Sequence, residues 1–189
     1  QKRKSNQNQS LVIPEKFLKI IKNTITEEEM LVVDIDENSL STQQGVFTIT
    51  TRIIKETFPD FNSVIPDNNT IQATLDSDKL IACLKRVSIF SNRTTKQTVL
   101  SFSDQSVVVS AQDPETSTSG KEHAECEYEG DALTVSYNAK YLIEVLQNIN
   151  TKKVKMYLST PLSAAIIKPE EEKEGEDLTA LLMPLRLNN

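Results

Sequence analysis

His123 stands three residues before Cys126, a spacing that could supply half of a metal site. No second such pair completes four ligands, and any acid–base or nucleophilic site built on histidine would have to use His123, the one histidine in the chain. The other reading is a plain strand or loop histidine. Asp34, Asp36 and Asn38 occupy the first, third and fifth places of a calcium loop. Ser39 then replaces the turn glycine and Gly45 the closing glutamate, so the stretch reads as a β-hairpin turn. The four glycines build no phosphate-cradling loop, and no spacing of carboxylates singles out a catalytic pair. The expectation is a protein that is not an enzyme, with no cofactor and no metal.

Charge carries more information. Net charge is −6 over 189 residues, which argues against a chain that coats nucleic acid and leaves room for a local basic face. Lys16, Lys19 and Lys22, then Lys79, Lys85 and Arg86, then Lys140 fall in three stretches with helical periodicity, while the remainder is acidic. These lysines either solvate exposed helices or track phosphates without reading bases.

The elements that would position them recur. Pro14 opens a helix over 14–25 with Phe17, Leu18, Ile21 and Ile25 on one face. Asp76 and Ser77 cap a second running to about Phe90, with Leu80, Ile81, Leu84 and Val87 together. Asn138 caps a third over 138–149, with Tyr141, Leu142, Val145, Leu146 and Ile149 together. The starts at 14, 77 and 138 lie 63 and 61 residues apart, the signature of an internal repeat. Three β-rich runs follow each helix: 30–36, 39–44 and 46–55; 98–103, 106–112 and 121–128; 154–159, 162–168 and 178–187.

A connector with Pro59 and Pro66 bracketing apolar residues places a domain boundary near residue 68. The second and third repeats would then form one domain (69–189), and the first (1–68) half of another whose other half lies upstream. The start at Gln1 and the polar run to Ser10 read as a fragment. The acidic stretch 169–177 reads as a solvated hairpin loop. Free Cys83 and Cys126 fit a reducing cytosol, and no segment has transmembrane length or a signal-peptide pattern.

Two apolar features need an explanation. On a continued second helix, Ile89 falls about 150° from the core stripe and Phe90 lies off it too, which points to a protein contact. The run Leu181, Leu182, Met183, Pro184, Leu185, Arg186, Leu187 sits where chains ordinarily fray.

The repeat, the connector Phe58-Pro59-Asp60-Phe61-Asn62-Ser63-Val64-Ile65-Pro66, the segment from Asn138 to Leu142 and the run from Met183 to Leu187 together resemble the bacterial DNA sliding clamp, the beta subunit of DNA polymerase III. The resemblance implies an α+β clamp fold of one helix plus three antiparallel strands per repeat, with sheets outside and helices lining a hole for DNA. It implies a processivity factor that encircles double-stranded DNA as a head-to-tail homodimer in a bacterial, nucleoid-associated cytoplasm, without a membrane. DNA polymerase III alpha subunit, the clamp loader and other proteins bearing the clamp-binding motif would dock in a pocket between middle and third domains.

The matching pocket positions are Pro59, Val64, Asn138, Tyr141, Leu162, Ala164, Leu181, Leu182, Met183, Pro184, Leu185, Arg186 and Leu187. Ser63 stands where some members have arginine, and the loop forming the far wall lies before Gln1, so the pocket is expected to be incomplete. Lys16, Lys19, Lys79 and Lys140 would face DNA. Ile89, Phe90, Glu115 and Glu122 would belong to the ring interface, which this chain alone is expected not to close. The competing readings are a standalone β-rich ligand-binding or adhesion module, and a hydrolase without its catalytic half.

Overall fold

The computed structural model of the protein describes residues 10–26, 29–172 and 175–187, and the chain divides into two units, Gln1–Asp60 and Phe61–Asn189. The division comes earlier than the expected boundary near residue 68. Within the second unit the Asn69 amide donates to the Tyr157 and Ala164 carbonyls, both at 2.9 Å.

The first unit is one helix and three strands. Helix α1 (Glu15–Thr24) is followed by β1 (Val32–Ile35), β2 (Ser39–Gln44) and β3 (Phe47–Arg52), antiparallel in that order. The β1–β2 connection is a tight hairpin closed by Asp36 N–H donating to the Ser39 carbonyl at 2.8 Å. The calcium-like residues therefore make a turn. Buried Gln44 holds the link from α1 to β1: its amide donates to the carbonyls of Thr26 (2.9 Å) and Glu29 (2.8 Å), and its oxygen accepts Thr26 N–H at 3.0 Å. Phe17 and Leu40 are buried, but Leu18 is 51% exposed and Ile21 and Ile25 are only half-buried. A single helix over three strands covers only part of the expected apolar face. Before the helix, Val12 bridges Ile54 antiparallel, with Ile54 N–H donating to the Val12 carbonyl at 3.0 Å.

The second unit holds two copies of a strand, a helix and three more strands. The first copy is β4 (Ile71–Asp76), α2 (Ser77–Val87), a 3₁₀ turn (Ser88–Phe90), β5 (Gln97–Ser103), β6 (Ser106–Asp113) and β7 (Thr118–Glu129). The second is β8 (Leu133–Asn138), α3 (Ala139–Ile149), β9 (Lys153–Leu158), β10 (Ala165–Pro169) and β11 (Ala180–Leu182). The eight strands run β11-β10-β9-β4-β7-β6-β5-β8. Each pre-helix strand thus crosses to the sister copy, β4 onto β9 and β8 onto β5.

Several expectations change here. The repeat has a strand ahead of its helix, and β4 and β8 are not among the expected runs. Both are buried on both faces over much of their length, so neither shows the alternation that marks a half-exposed strand. The strands expected at 162–168 and 178–187 shrink to β10 and β11, because Leu162 sits in a turn and Pro184 has no N–H to continue a ladder. Helix α2 ends at Val87, so Ile89 and Phe90 lie on the 3₁₀ turn and their exposure comes from that change of winding.

Both helices start on satisfied donors. Asp76 accepts Lys79 N–H at 2.9 Å, and Asn138 accepts the N–H groups of Lys140 (2.9 Å) and Tyr141 (3.4 Å). Asp104 and Gln105, at φ +45° and +62°, give the two-residue turn that joins β5 to β6. The core between helices and sheet includes Leu75, Leu80, Leu84, Leu100, Leu142 and Leu146, all fully buried and each worth about 1.5–3 kcal/mol relative to exposure.

Candidate functional site

The apolar run near residue 185 is built into the second unit at two places. On one side β11 pairs with β10, setting Leu182 opposite Ala165. On the other, Leu185 bridges Ser136 of β8: Leu185 N–H donates to the Ser136 carbonyl at 2.8 Å, and the Ser136 hydroxyl donates to the Leu185 carbonyl at 3.0 Å. The Gln97 amide donates to the Arg186 carbonyl at 3.0 Å and to the Ser136 hydroxyl at 2.9 Å. A buried serine and a half-buried glutamine therefore fix a segment whose own side chains are mostly apolar.

Between these anchors Met183 is 61% exposed and Pro184 half-buried. Chain connectivity brings other matched positions close to the two anchors. Leu162, 64% exposed, lies three residues before Ala165 in a turn where the Thr160 hydroxyl accepts Leu162 N–H (3.3 Å) and Ser163 N–H (3.1 Å). Tyr141, 56% exposed, lies in the first turn of α3, just past β8, and α3 packs on β11. The result is a set of exposed apolar side chains held on rigid turns, suited to receive leucine or aromatic anchors of a peptide.

The other matched positions play different parts. Leu182 and Ala164 are each 7% exposed and face inward, since a run that is apolar at every place conceals which residues alternate into the core. Ala164 offers its carbonyl, already accepting from Asn69. Asn138 spends its oxygen on the α3 cap and its amide on the Thr95 carbonyl at 2.9 Å, so it shapes the site without a free polar group. Leu181 is half-buried, Leu185 is half-buried, and Arg186 and Leu187 are exposed. Val64 ends the 3₁₀ turn Phe61–Val64 and is exposed; Pro59 belongs to the first unit and is exposed.

Lys16, Lys79 and Lys140 are exposed, and Lys19 is exposed with its ammonium 2.5 Å from Glu15. Lys96 was not foreseen. Its carbonyl accepts Ala139 N–H at 2.9 Å, and it lines with Lys140, Ser88, Ile143 and Glu144 a cleft of about 650 Å³ beside α3. Lying outside every helix, it carried no periodic signal.

At the 3₁₀ turn Ile89 is 75% exposed, and Phe90 lays its ring on β7 at Gly120, where a β-carbon would come within 2.3 Å of Phe90 Cδ2. Residues 118–125 of β7 pair with β6 on one side; their other edge has no ladder partner among the described residues. Glu122 is taken within the chain by Arg86, Nε to Oε2 at 3.1 Å with a second contact from the same guanidinium. That hydrogen bond and charge hold the Glu122 carboxyl below its usual range, against some desolvation, and hold Arg86 above its own. Burial pushes the neighbouring Cys83 thiol up to about 12, so it stays protonated. Glu115 is exposed, with its N–H donating to Asp113. His123 is an exposed residue of β7, and no group of three metal-ligating side chains occurs among the described residues.

Residues 62–186 match the profile of the DNA polymerase III beta subunit, C-terminal domain. The chain is 27% identical over 184 residues to the beta sliding clamp of Pseudomonas aeruginosa, covering 97% of this chain and 49% of that one. It is 28% identical over 182 residues to that of Haemophilus influenzae, covering 96% and 49%. The crystal structure of the DNA polymerase III subunit beta from Pseudomonas aeruginosa superposes with a TM-score of 0.84 at 26% identity, over 94% of this chain and 48% of that one. A second structure of the sliding clamp from that organism, bound to griselimycin, gives the same TM-score. The chain spans about half the length of the curated relatives it matches.

Proposed function

Since the chain belongs to the DNA polymerase III beta subunit family and carries its C-terminal domain, we propose that it forms the C-terminal part of a sliding clamp, a non-catalytic processivity factor. In this reading residues 1–68 are the C-terminal half of the middle domain with its connector, and 69–189 are the third domain. The complete clamp encircles double-stranded DNA as a head-to-tail homodimer in the bacterial cytoplasm, at the nucleoid, and holds the replicative polymerase to its template by topology.

The observation that carries the reading is the suspension of Met183 and Pro184 between the Leu182–Ala165 pair and the Leu185–Ser136 bridge. Peptide segments of the polymerase alpha subunit, the clamp loader and other motif-bearing proteins dock against Tyr141, Leu162 and Met183, with Val64, Pro184, Leu185, Arg186 and Leu187 completing the surface. Leu181, Leu182, Ala164 and Asn138 support it from beneath. Lys16, Lys19, Lys79 and Lys140, joined by Lys96, meet DNA phosphates without reading sequence. Ile89, Phe90 and the unpaired edge of β7 form the ring contact with Glu115, while Glu122 serves it indirectly by tying β7 to α2 through Arg86.

The test is binding of a fluorescent clamp-binding peptide to a full-length clamp polypeptide ending in this chain. Tyr141→Ala, Leu162→Ala and Met183→Ala should each weaken binding by about tenfold, 1–2 kcal/mol. Melting should be unchanged, because all three side chains are more than half exposed. Unchanged affinity in all three variants would refute the pocket assignment. The 189-residue chain alone should show no ring contact through Ile89 and Phe90 by sedimentation.

A further inference from the structure

Two cysteines and three methionines carry the sulfur of this chain, and burial sorts them. Cys83 and Cys126 are buried free thiols, and Met156 of β9 is fully buried. Thiols are ordinarily the first sulfurs to meet an oxidant, but they react as thiolates. Desolvation pushes Cys83 up to about 12 and Cys126 up to about 11, so both stay protonated at neutral pH as well as out of reach. A thioether needs no ionisation to react, and its exposure then sets its susceptibility. Met30 and Met183 are the two exposed sulfurs.

The fold gives these two different settings. Met30 lies on the link between α1 and β1. Met183 stands between Leu182, paired with Ala165, and Leu185, whose N–H is donated to the Ser136 carbonyl. Its backbone is held on both sides within two residues, so the side chain projects from a fixed place rather than from a fraying tail. All of these anchors lie within the second unit. A surface open to the leucine or aromatic anchor of a peptide is open to a hydroperoxide, which is far smaller.

We propose that Met183 is a site of reversible sulfoxidation, through which peroxide weakens the capture of partner peptides; this rests on the reading of the Met183 surface as the peptide-binding one. In the forward step a sulfur lone pair attacks one oxygen of hydrogen peroxide and the O–O bond breaks. An S–O bond forms, the proton on the transferred oxygen passes to the departing one, and water leaves. Sulfur loses two electrons and the peroxide gains them. In the reverse step a thiol-dependent sulfoxide reductase removes the oxygen as water while its two thiols close to a disulfide. The sulfoxide turns an adaptable apolar side chain into a polar one with a strong acceptor oxygen. The two residues that follow offer that oxygen no donor: Pro184 has no N–H, and the N–H of Leu185 is already spent on Ser136. An apolar peptide anchor pressed against it would strip its water without replacing the hydrogen bonds, which opposes docking.

The test treats the 189-residue chain, and a full-length clamp polypeptide ending in it, with hydrogen peroxide. Peptide mapping of the folded chain by mass spectrometry should show Met183 gaining one oxygen about tenfold faster than Met156, or more. In the full-length clamp the treatment should weaken binding of a fluorescent clamp-binding peptide by about tenfold or more, and methionine sulfoxide reductase with dithiothreitol should restore it. Met183→Leu, whatever its starting affinity, should keep that affinity through the treatment. Equal oxidation of Met183 and Met156 in the folded chain would overturn the proposal. So would peptide affinity that survives complete sulfoxidation of Met183, or an equal loss of affinity in Met183→Leu. An untreated clamp that fails to bind the peptide would instead bring down the reading of the surface itself, and the proposal with it.

Discussion

Ser136→Ala is the sharpest perturbation of the partner-binding surface, because it removes no exposed atom. Ser136 is fully buried, and its hydroxyl donates to the Leu185 carbonyl at 3.0 Å while accepting from the Gln97 amide at 2.9 Å. Alanine deletes both bonds and leaves the Leu185 carbonyl with a missing partner; Gln97 keeps its bond to Arg186. At about 1 kcal/mol per hydrogen bond, the second unit should lose about 2 kcal/mol. For a cooperative unit of this size that corresponds to a Tm lower by about 6–10 °C. Differential scanning calorimetry reads the loss, and hydrogen exchange at the Leu185 amide should quicken, because its bond to the Ser136 carbonyl is no longer braced. A variant that melts with the parent and protects Leu185 equally would refute the reasoning that this latch holds the segment in place.

Gly120→Val should force Phe90 off β7 and cost about 1–3 kcal/mol in thermal melts, since the added β-carbon has ring carbons in its way. The acid limb of stability should carry the Glu122 and Glu127 carboxylates, both held below their ordinary range, by Arg86 and Lys153 respectively. Depressed folded values give stability that is present above the unfolded carboxylate range, near about pH 4.3, and is lost as pH falls through the lower folded values. Glu122→Gln should therefore flatten the stability decline below about pH 4.3 in urea titrations. In a full-length clamp, neutralising Lys16, Lys79 and Lys140 together should reduce the salt slope of DNA binding by about 2–3 for each protomer of the ring, read by anisotropy across a salt series.

The helices were readable because Leu80, Leu84 and Val87, and Leu142, Leu146 and Ile149, recur at helical spacing behind good caps. The hairpins were readable because β5, β6 and β9 alternate strictly between core and solvent. β4 and β8 were not, since both run into a helix with no turn and show little alternation. The terminal run was recognisable as important, but its division of labour was hidden: Leu182 turns inward and Met183 outward in a sequence where nearly every position is apolar. Arg86 and Glu122 lie 36 residues apart and find each other only through the packing of α2 on β7. No sequence spacing announces a pair of that kind.

The placement of Leu185 has a consequence for how the chain comes into being. β11 lies at one margin of the eight-stranded sheet and β8 at the other, and the Leu185 bridge carries hydrogen bonding onward from the first to the second. During synthesis β5 to β7 emerge long before β9, yet β4 must wait for β9, and β8 remains open on one side until residue 185 is made. Pairings this distant along the chain are slow to form. The second unit should therefore complete its folding only after the ribosome has passed residue 185, with one side of β4 exposed to chaperones until β9 is made and one side of β8 until residue 185 is.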